Sequence, residues 1–243
     1  MNKEIANWYT DWFDTDFYHI LYRERNRREA ELFMQNLTTY LNLPEKASVL
    51  DVGCGRGRHA VMLRDMGYRV KGIDICENNI NYARKFESDA LSFHIHDMRA
   101  PYPGSYDAIV NLFTSFGFFD DDTDHLRTLE MMKRGLNANG LGVIDFMNVT
   151  QVKDRLIPES KTEMEGITFH IKRYEEDGYI YKDIRFEHEN TPYFFTERVK
   201  ALSLADFEDL FERAGIYLLD IFGDYKLNKY HPTSSDRLVM IFK

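Results

Sequence analysis

Val49-Leu50-Asp51-Val52-Gly53-Cys54-Gly55-Arg56-Gly57-Arg58-His59-Ala60 decides how the rest of the chain is read. A short apolar run breaks into three glycines at alternate positions and then enters a stretch of helical composition. Glycine lets backbone approach a ligand with no side chain in the way, and the start of a helix presents N–H groups that no helical carbonyl accepts. The unit is a strand, a ligand-facing turn and a helix. Its spacing is Gly-x-Gly-x-Gly, with Arg58 where a dinucleotide-binding Gly-x-Gly-x-x-Gly would carry its last glycine. A glycine turn alone has low specificity, so the neighbouring segments have to support it.

They do so by repeating the alternation. Residues 59–66 read as a helix ended by Gly67, 68–73 as a strand, 77–86 as a helix, and 91–95 and 106–112 as strands. Residues 121–136 carry Leu126, Leu129, Met132 and Leu136 on one helical face, 137–140 read as a turn, and 141–146 as another strand. Upstream, Ala30, Leu32, Phe33, Leu37 and Leu41 recur at helical spacing over 23–41, with Pro44 beyond the end. Strands separated by helices imply right-handed crossovers and a parallel sheet covered on both faces. Residues 160–201 differ: runs at 167–173, 179–188 and 193–200, broken by Asp177-Gly178 and Asn190-Thr191-Pro192, read as an antiparallel meander. Ser203 then caps a helix that Gly215 stops, and 216–222 and 237–242 close the chain as two strands. The expected fold class is α/β: a Rossmann-like, doubly wound, mostly parallel seven-stranded sheet with a C-terminal antiparallel hairpin and an inserted antiparallel β-meander. Residues 1–43 are expected to form an N-terminal lid and helix, 44–159 with 202–243 the core, and 160–201 an insertion that covers a substrate or mediates dimerisation.

Composition narrows the classes of function. At 243 residues, 44% hydrophobic and 29% charged, the chain fits one globular domain with an elaboration and excludes a disordered profile. No apolar run approaches the roughly 20 residues that cross a bilayer. The start, Met1 to Phe17, is acidic and aromatic, unlike the basic and then apolar pattern of a signal peptide. Two cysteines, Cys54 and Cys76, are too few for a disulfide scaffold, so a reducing cytoplasmic setting is expected. The net charge of −9 disfavours a nucleic-acid partner, whose phosphates call for a basic face; the one basic cluster, Arg23 to Arg28, is short and interrupted by Glu24.

Two further acids follow the glycine turn at matching places. Asp74 ends the strand Val70-Lys71-Gly72-Ile73, and Asp97 ends Phe93-His94-Ile95-His96. In an open α/β sheet the strand C-termini line the ligand crevice. A carboxylate there can accept both hydroxyls of a ribose, or an exocyclic amine of a purine. Three strand ends in order, each with suitable chemistry, say more than any one of them.

With these residues the chain resembles the class I S-adenosylmethionine-dependent methyltransferases, over roughly residues 45–146. The resemblance implies that Asp51 opens the cofactor motif, that Gly53, Gly55 and Gly57 face the methionine portion of S-adenosylmethionine, and that Asp74 holds its ribose with Ile75 beside the adenine. It likewise implies that Asp97 meets the adenine amine next to Met98, and that Asn111 and Phe113 face the cofactor from the fourth strand. The N-terminal stretch resembles the lid of small-molecule members, with Tyr22 and Arg25 on the cofactor and Tyr18 toward the acceptor; Phe116 is a second acceptor candidate. Phe118 and Phe119 are read as core, and the acidic run Asp120 to Asp124 as the first turn of a helix. No metal is expected, since Asp97 is accounted for by adenine and His94 and His96 have no further clustered ligands.

Methyl transfer from a sulfonium needs alignment and exclusion of water more than acid–base groups. Asp16, Tyr18, His19 and His125 are weighed as general bases, and no catalytic residue is assigned. The expected function is methyl transfer to a small-molecule amine, hydroxyl or carboxylate, leaving S-adenosylhomocysteine. The alternatives are an RNA or protein methyltransferase, or a non-catalytic cofactor-binding protein. Asn111-Leu112-Phe113-Thr114 stands in place of the Asn-Pro-Pro-Tyr-type tetrapeptide of base and glutamine N-methylating families.

Overall fold

The computed structural model describes residues 8–23 and 27–243. Two short helices, α1 (Trp8–Phe13) and α2 (Asp16–Leu21), precede the longer α3 (Arg27–Leu41). Thr15 caps α2 by accepting the Tyr18 N–H at 3.2 Å. The alternating part runs β1 (Ser48–Val52), α4 (Arg58–Asp65), β2 (Arg69–Asp74), α5 (Glu77–Ala83), β3 (Leu91–Ile95), β4 (Tyr106–Asn111), α6 (Asp122–Gly135) and β5 (Leu136–Met147). A short α7 (Val149–Asp154) leads into β6 (Glu159–Met164), β7 (Ile167–Glu176), β8 (Tyr179–His188) and β9 (Thr191–Lys200). The chain closes with α8 (Leu204–Ala214), β10 (Leu218–Phe222) and β11 (Arg237–Phe242).

Seven strands form one sheet in the order β10-β11-β5-β4-β1-β2-β3. Neighbours among β1 to β5 pair in parallel, and β11 is antiparallel to both β5 and β10. Phe33 and Leu37 of α3, Leu63 of α4 and Ile80 of α5 cover one face; Leu129 and Met132 of α6 with Phe207 and Phe211 of α8 cover the other. Burial on both faces is why β1 and β4 are continuous apolar runs. The chain turns from one half of the sheet to the other between β1 and β4, which opens a crevice at their C-terminal ends.

The second sheet, β6-β7-β8-β9, is an antiparallel meander. Its inner face, with Ile167, Phe169, Ile171, Ile184 and Phe186, packs on Trp8, Trp12 and Leu21 of the first two helices. It has one strand more than the sequence pattern predicts. The β6 segment Glu-Ser-Lys-Thr-Glu-Met has no apolar alternation to reveal it, and becomes a strand by pairing with β7 across a turn at Glu165 and Gly166. The last turn lies at Glu189-Asn190, so Pro192 already belongs to β9, where an edge position tolerates its missing N–H. Residues 137–140 are not a free turn but a bulge inside β5: Tyr106 pairs with Leu136 and Ala108 with Leu141, and the residues between are looped out.

One buried acid joins the strand ends. The fully buried Asp145 of β5 accepts the Phe113 amide at 2.9 Å, the Tyr225 hydroxyl at 3.1 Å and Arg237 Nε at 2.8 Å. Phe113 and Thr114, just past β4, have φ of 57° and 63°, a region that side chains with a Cβ rarely adopt. The Asp145 carbonyl accepts the Thr114 N–H at 3.0 Å and completes the restraint. Burial pushes the Asp145 carboxyl up and the Arg237 charge pulls it back. Replacing Arg237 by Met leaves that acid buried without its cation. Urea denaturation of Arg237→Met is expected to show a loss of about 3 kcal/mol or more, and a loss below about 1 kcal/mol would mean that the pair does not hold the strand ends.

Candidate functional site

The crevice is a cavity of about 1170 Å³. Its floor is the glycine turn and the ends of β2 and β3; α1, α2 and the inner face of β9 enclose it. Sites for one drug-sized ligand run roughly 300–1,000 Å³, and this one slightly exceeds that range.

The turn is held by its own backbone. Gly53 and Cys54 both donate their N–H to the Ile73 carbonyl, at 2.8 and 3.0 Å. Gly55 has φ of 54° and donates its N–H to Asp74 Oδ2 at 2.8 Å; a Cβ there would meet no atom within 4 Å, so its backbone stands open to the cavity. At Gly57, φ is 82° and a Cβ would lie 2.6 Å from the Phe93 ring, which holds α4 tightly against the sheet. Asp74 Oδ1 accepts the Cys76 N–H at 2.8 Å. Each carboxylate oxygen thus has one backbone donor and lone pairs to spare for a diol. Burial raises the Asp74 carboxyl.

Asp97 is the better-anchored acid. Arg99 binds it through Nε and Nη2, the latter at 2.6 Å, and reaches Asp124 with Nη1 at 2.6 Å. Burial alone would raise the Asp97 carboxyl, but the hydrogen bonds from Arg99 outweigh it and hold the group below its usual range. The acidic run is therefore shared out: Asp124 orients Arg99, Asp121 caps α6 by accepting the Thr123 N–H at 2.9 Å, and Asp120 and Asp122 pair with Arg198 and Lys200 of β9.

Of the residues named from sequence, Tyr18, Tyr22, Gly53, Gly55, Gly57, Asp74, Ile75, Asp97, Met98 and Phe113 lie on the cavity wall. Asp51 and Asn111 stand behind it, fully buried. Asn111 donates to the Val52 carbonyl at 2.9 Å, which joins β4 to β1. Arg25 lies outside the described residues. Phe116 is a correction: it is fully buried and packs on Phe207 and His125, because the chain after Gly117 turns the next two rings outward instead. Phe119 is buried, as the core reading expects, and Phe118 half-buried, and both also line the cavity. Of the bases weighed, Asp16 is held by Arg56 at 2.6 Å, and His125 is sealed between Phe116 and Phe119, where burial lowers its pKa to about 4. His19 does reach the wall. Its Nε2 lies 2.8 Å from Asn79 Oδ1, and burial, aided by Arg56, lowers its pKa to about 4, so it is neutral near pH 7.

Sequence reasoning missed Glu197. It lies on the wall and accepts Trp12 Nε1–H at 2.7 Å and the Tyr22 hydroxyl at 2.6 Å through Oε1; Lys182 stands 3.8 Å from Oε2 and donates to the Tyr22 oxygen. A charged residue alternating with Phe195 and Val199 on the inward face of β9 was the available signal. Also missed was a stack at the far end, where the Phe113 ring lies 4.6 Å from His59 and 5.1 Å from Tyr225, with the Arg58 guanidinium 4.8 Å away. Among the described residues no cluster of His, Cys, Asp and Glu could hold a metal, and no helix is long and apolar enough to cross a membrane.

Residues 49–140 match the family model described as a methyltransferase domain. Glycine N-methyltransferase of Oryctolagus cuniculus is 28% identical over 123 residues, which make up 43% of this chain and 42% of that protein. The dTDP-3-amino-3,4,6-trideoxy-alpha-D-glucopyranose N,N-dimethyltransferase of Streptomyces venezuelae is 29% identical over 103 residues, 42% of this chain and 43% of that one. The chain thus spans less than half the length of these curated relatives. Among solved structures, an S-adenosylmethionine-dependent methyltransferase from Clostridium acetobutylicum superposes with a TM-score of 0.79 at 16% identity, over 94% of this chain and 96% of that one. Residues 49–140 are thus similar to a methyltransferase domain, and the overall fold is that of the class I S-adenosylmethionine-dependent methyltransferases.

Asp51 gives the site a measurable pH signature. Its Oδ2 has no hydrogen-bond partner among the described residues, and burial, with the nearby Asp74 charge, raises its carboxyl from 3.8 to about 7. The folded state therefore keeps a proton that the unfolded chain has lost, and this group's contribution to stability falls as pH rises from about 4 to about 7. Asp51→Asn has nothing to titrate. The stability of the wild type minus that of the variant is expected to decline across that window, and a flat difference in thermal melts would count against the buried-acid assignment.

Proposed function

We propose that this chain is an S-adenosylmethionine-dependent methyltransferase acting on a small-molecule amine, hydroxyl or carboxylate. The observation that carries the reading is the row of groups along the cavity floor: the open Gly55 backbone, then Asp74, then Asp97 with Met98, at the ends of three adjacent parallel strands. The donor set fits that cofactor: lone pairs for a diol at Asp74, an anchored acceptor for an amine at Asp97, and apolar Ile75 and Met98 for a flat ring. When bound, S-adenosylmethionine supplies a methyl group on a positively charged sulfur, ready for in-line displacement.

The chain contributes alignment and dryness. Asp74, pinned by two backbone amides, is the ribose acceptor in this reading, and Asp97, pinned by Arg99, the adenine acceptor. Gly53, Gly55 and Gly57 give the methionine portion a floor without side chains, and Phe113 closes its end. Tyr22 is held over the cavity by Glu197. Residues 160–201 serve in this reading as the cover of the acceptor. Their sheet and the first two helices supply Trp8, Tyr9, Tyr18 and Glu197 to the cavity wall, which favours an acceptor that is swallowed whole over one embedded in a polymer. The two curated relatives are named for methylating an amino acid and an amino sugar, both small molecules.

Calorimetry with S-adenosylmethionine and S-adenosylhomocysteine tests the reading directly. The wild type is expected to bind both, and Asp74→Ala to weaken each by about tenfold or more, the effect of losing a charged hydrogen-bond acceptor. Absence of binding, or binding indifferent to Asp74, would leave an α/β domain with some other ligand.

A further inference from the structure

The acceptor end of the cavity has a composition of its own. Tyr9, Phe118, Trp8, Phe13, Tyr18 and Tyr22 form one continuous chain of rings, with successive centroids 4.9 to 6.3 Å apart, and all six lie on the wall. The chain of rings ends on Glu197, which accepts the Tyr22 hydroxyl. Among the described wall carboxylates, Asp74 and Asp97 belong to the cofactor floor, and Glu197 is the one that hydrogen-bonds to these rings. Its side chain is 16% exposed.

Aromatic faces attract cations, and a poorly solvated carboxylate at the edge of such a wall adds a directed charge. Lys182 balances part of this charge: it is off the wall, its Nζ lies 3.8 Å from Glu197 Oε2 and 4.3 Å from the Tyr22 ring centroid, and it donates to the Tyr22 oxygen, so the ring faces offered to an incoming cation are those of Trp8, Phe13 and Phe118. A neutral hydroxyl acceptor would draw little from these ring faces, and a carboxylate would meet their negative π-clouds.

We infer that the acceptor is a protonated amine, recognised by Glu197 together with the ring wall. This rests on the methyltransferase reading above and selects one of its three acceptor classes. The ammonium has no lone pair, so one N–H proton passes to a Glu197 oxygen. The freed lone pair forms the N–C bond as the C–S bond breaks with its electrons going to sulfur, and Glu197 then releases its proton to water.

Trp8 and Trp12 are the only tryptophans in the chain, so fluorescence excited at the red edge, where tyrosine does not absorb, reports on this end of the cavity. The protein is first saturated with S-adenosylhomocysteine, which occupies the cofactor floor, and then titrated with benzylamine, a cation at neutral pH, and with benzyl alcohol, its neutral counterpart. Benzylamine is expected to bind about tenfold more tightly than benzyl alcohol. Glu197→Gln keeps an oxygen for Trp12 and Tyr22 while removing the charge, and is expected to abolish the preference by weakening benzylamine alone. Equal binding of the two probes by the wild type, no response to benzylamine, or a preference that survives in Glu197→Gln each overturns the inference. The wild-type comparison decides the matter even if the variant misfolds. Failure of S-adenosylhomocysteine itself to bind, read by calorimetry, brings down the methyltransferase reading and this inference with it, whereas binding of that ligand without an amine preference overturns this inference alone.

Discussion

Two backbone amides converging on one carbonyl set the geometry on which the site depends. Gly53 and Cys54 both donate to Ile73, so the glycine turn folds back over the end of β2 instead of running on from β1. The fold-back places the Gly55 N–H against Asp74 and starts α4 in the same movement. Side chains beyond glycine would block it for ordinary steric reasons: at Gly57 the next ring is in the way, and all three glycines have positive φ. The floor is thus a backbone construction, and the side chains that matter there are oriented by it.

The walls depend on a different kind of force. The run Asp120 to Asp124 distributes its charges in three directions, to β9 through Arg198 and Lys200, to the start of α6, and to Asp97 through Arg99. The loop after β4 is therefore tied at once to the second sheet and to the cavity floor. These ion pairs are half-exposed and individually modest, but the loop they fix carries Phe118 and Phe119, which line the cavity. Behind them, Asp145 holds Phe113 and Thr114 in a conformation they would not adopt alone.

The sheet and its crossovers were legible because hydrophobic periodicity and the glycine turn are local signals. Asp74 and Asp97 were legible for the same reason, the one being the last residue of a readable strand and the other two residues past the next. What the sequence hid was everything that depends on tertiary pairing. Strand β6 carries no alternation of its own, the bulge in β5 exists only against β4, and Glu197 becomes a wall residue only once β9 lies over α1. The placing of Phe116 toward the acceptor fails for the same reason. Which of Phe116, Phe118 and Phe119 turns inward depends on the backbone at Gly117, whose φ of 88° no hydrophobic pattern encodes.

The closure between the first helices and the second sheet also bears on how the molecule comes to exist. Trp12 and Glu197 are 185 positions apart, and Tyr22 and Glu197 are 175 apart. During synthesis α1 and α2 emerge before either sheet, yet the surface they bury against is made from β7, β8 and β9, after the parallel strands β1 to β5 can pair. Contacts of such separation pay a large loop-closure entropy and form late. Trp8, Trp12 and Leu21 therefore wait uncovered through most of translation, exposed to any chaperone that binds apolar segments. The enclosure over the crevice is completed only after the floor is in place, so a nascent chain has somewhere to hold a ligand before it has any means of shutting it in.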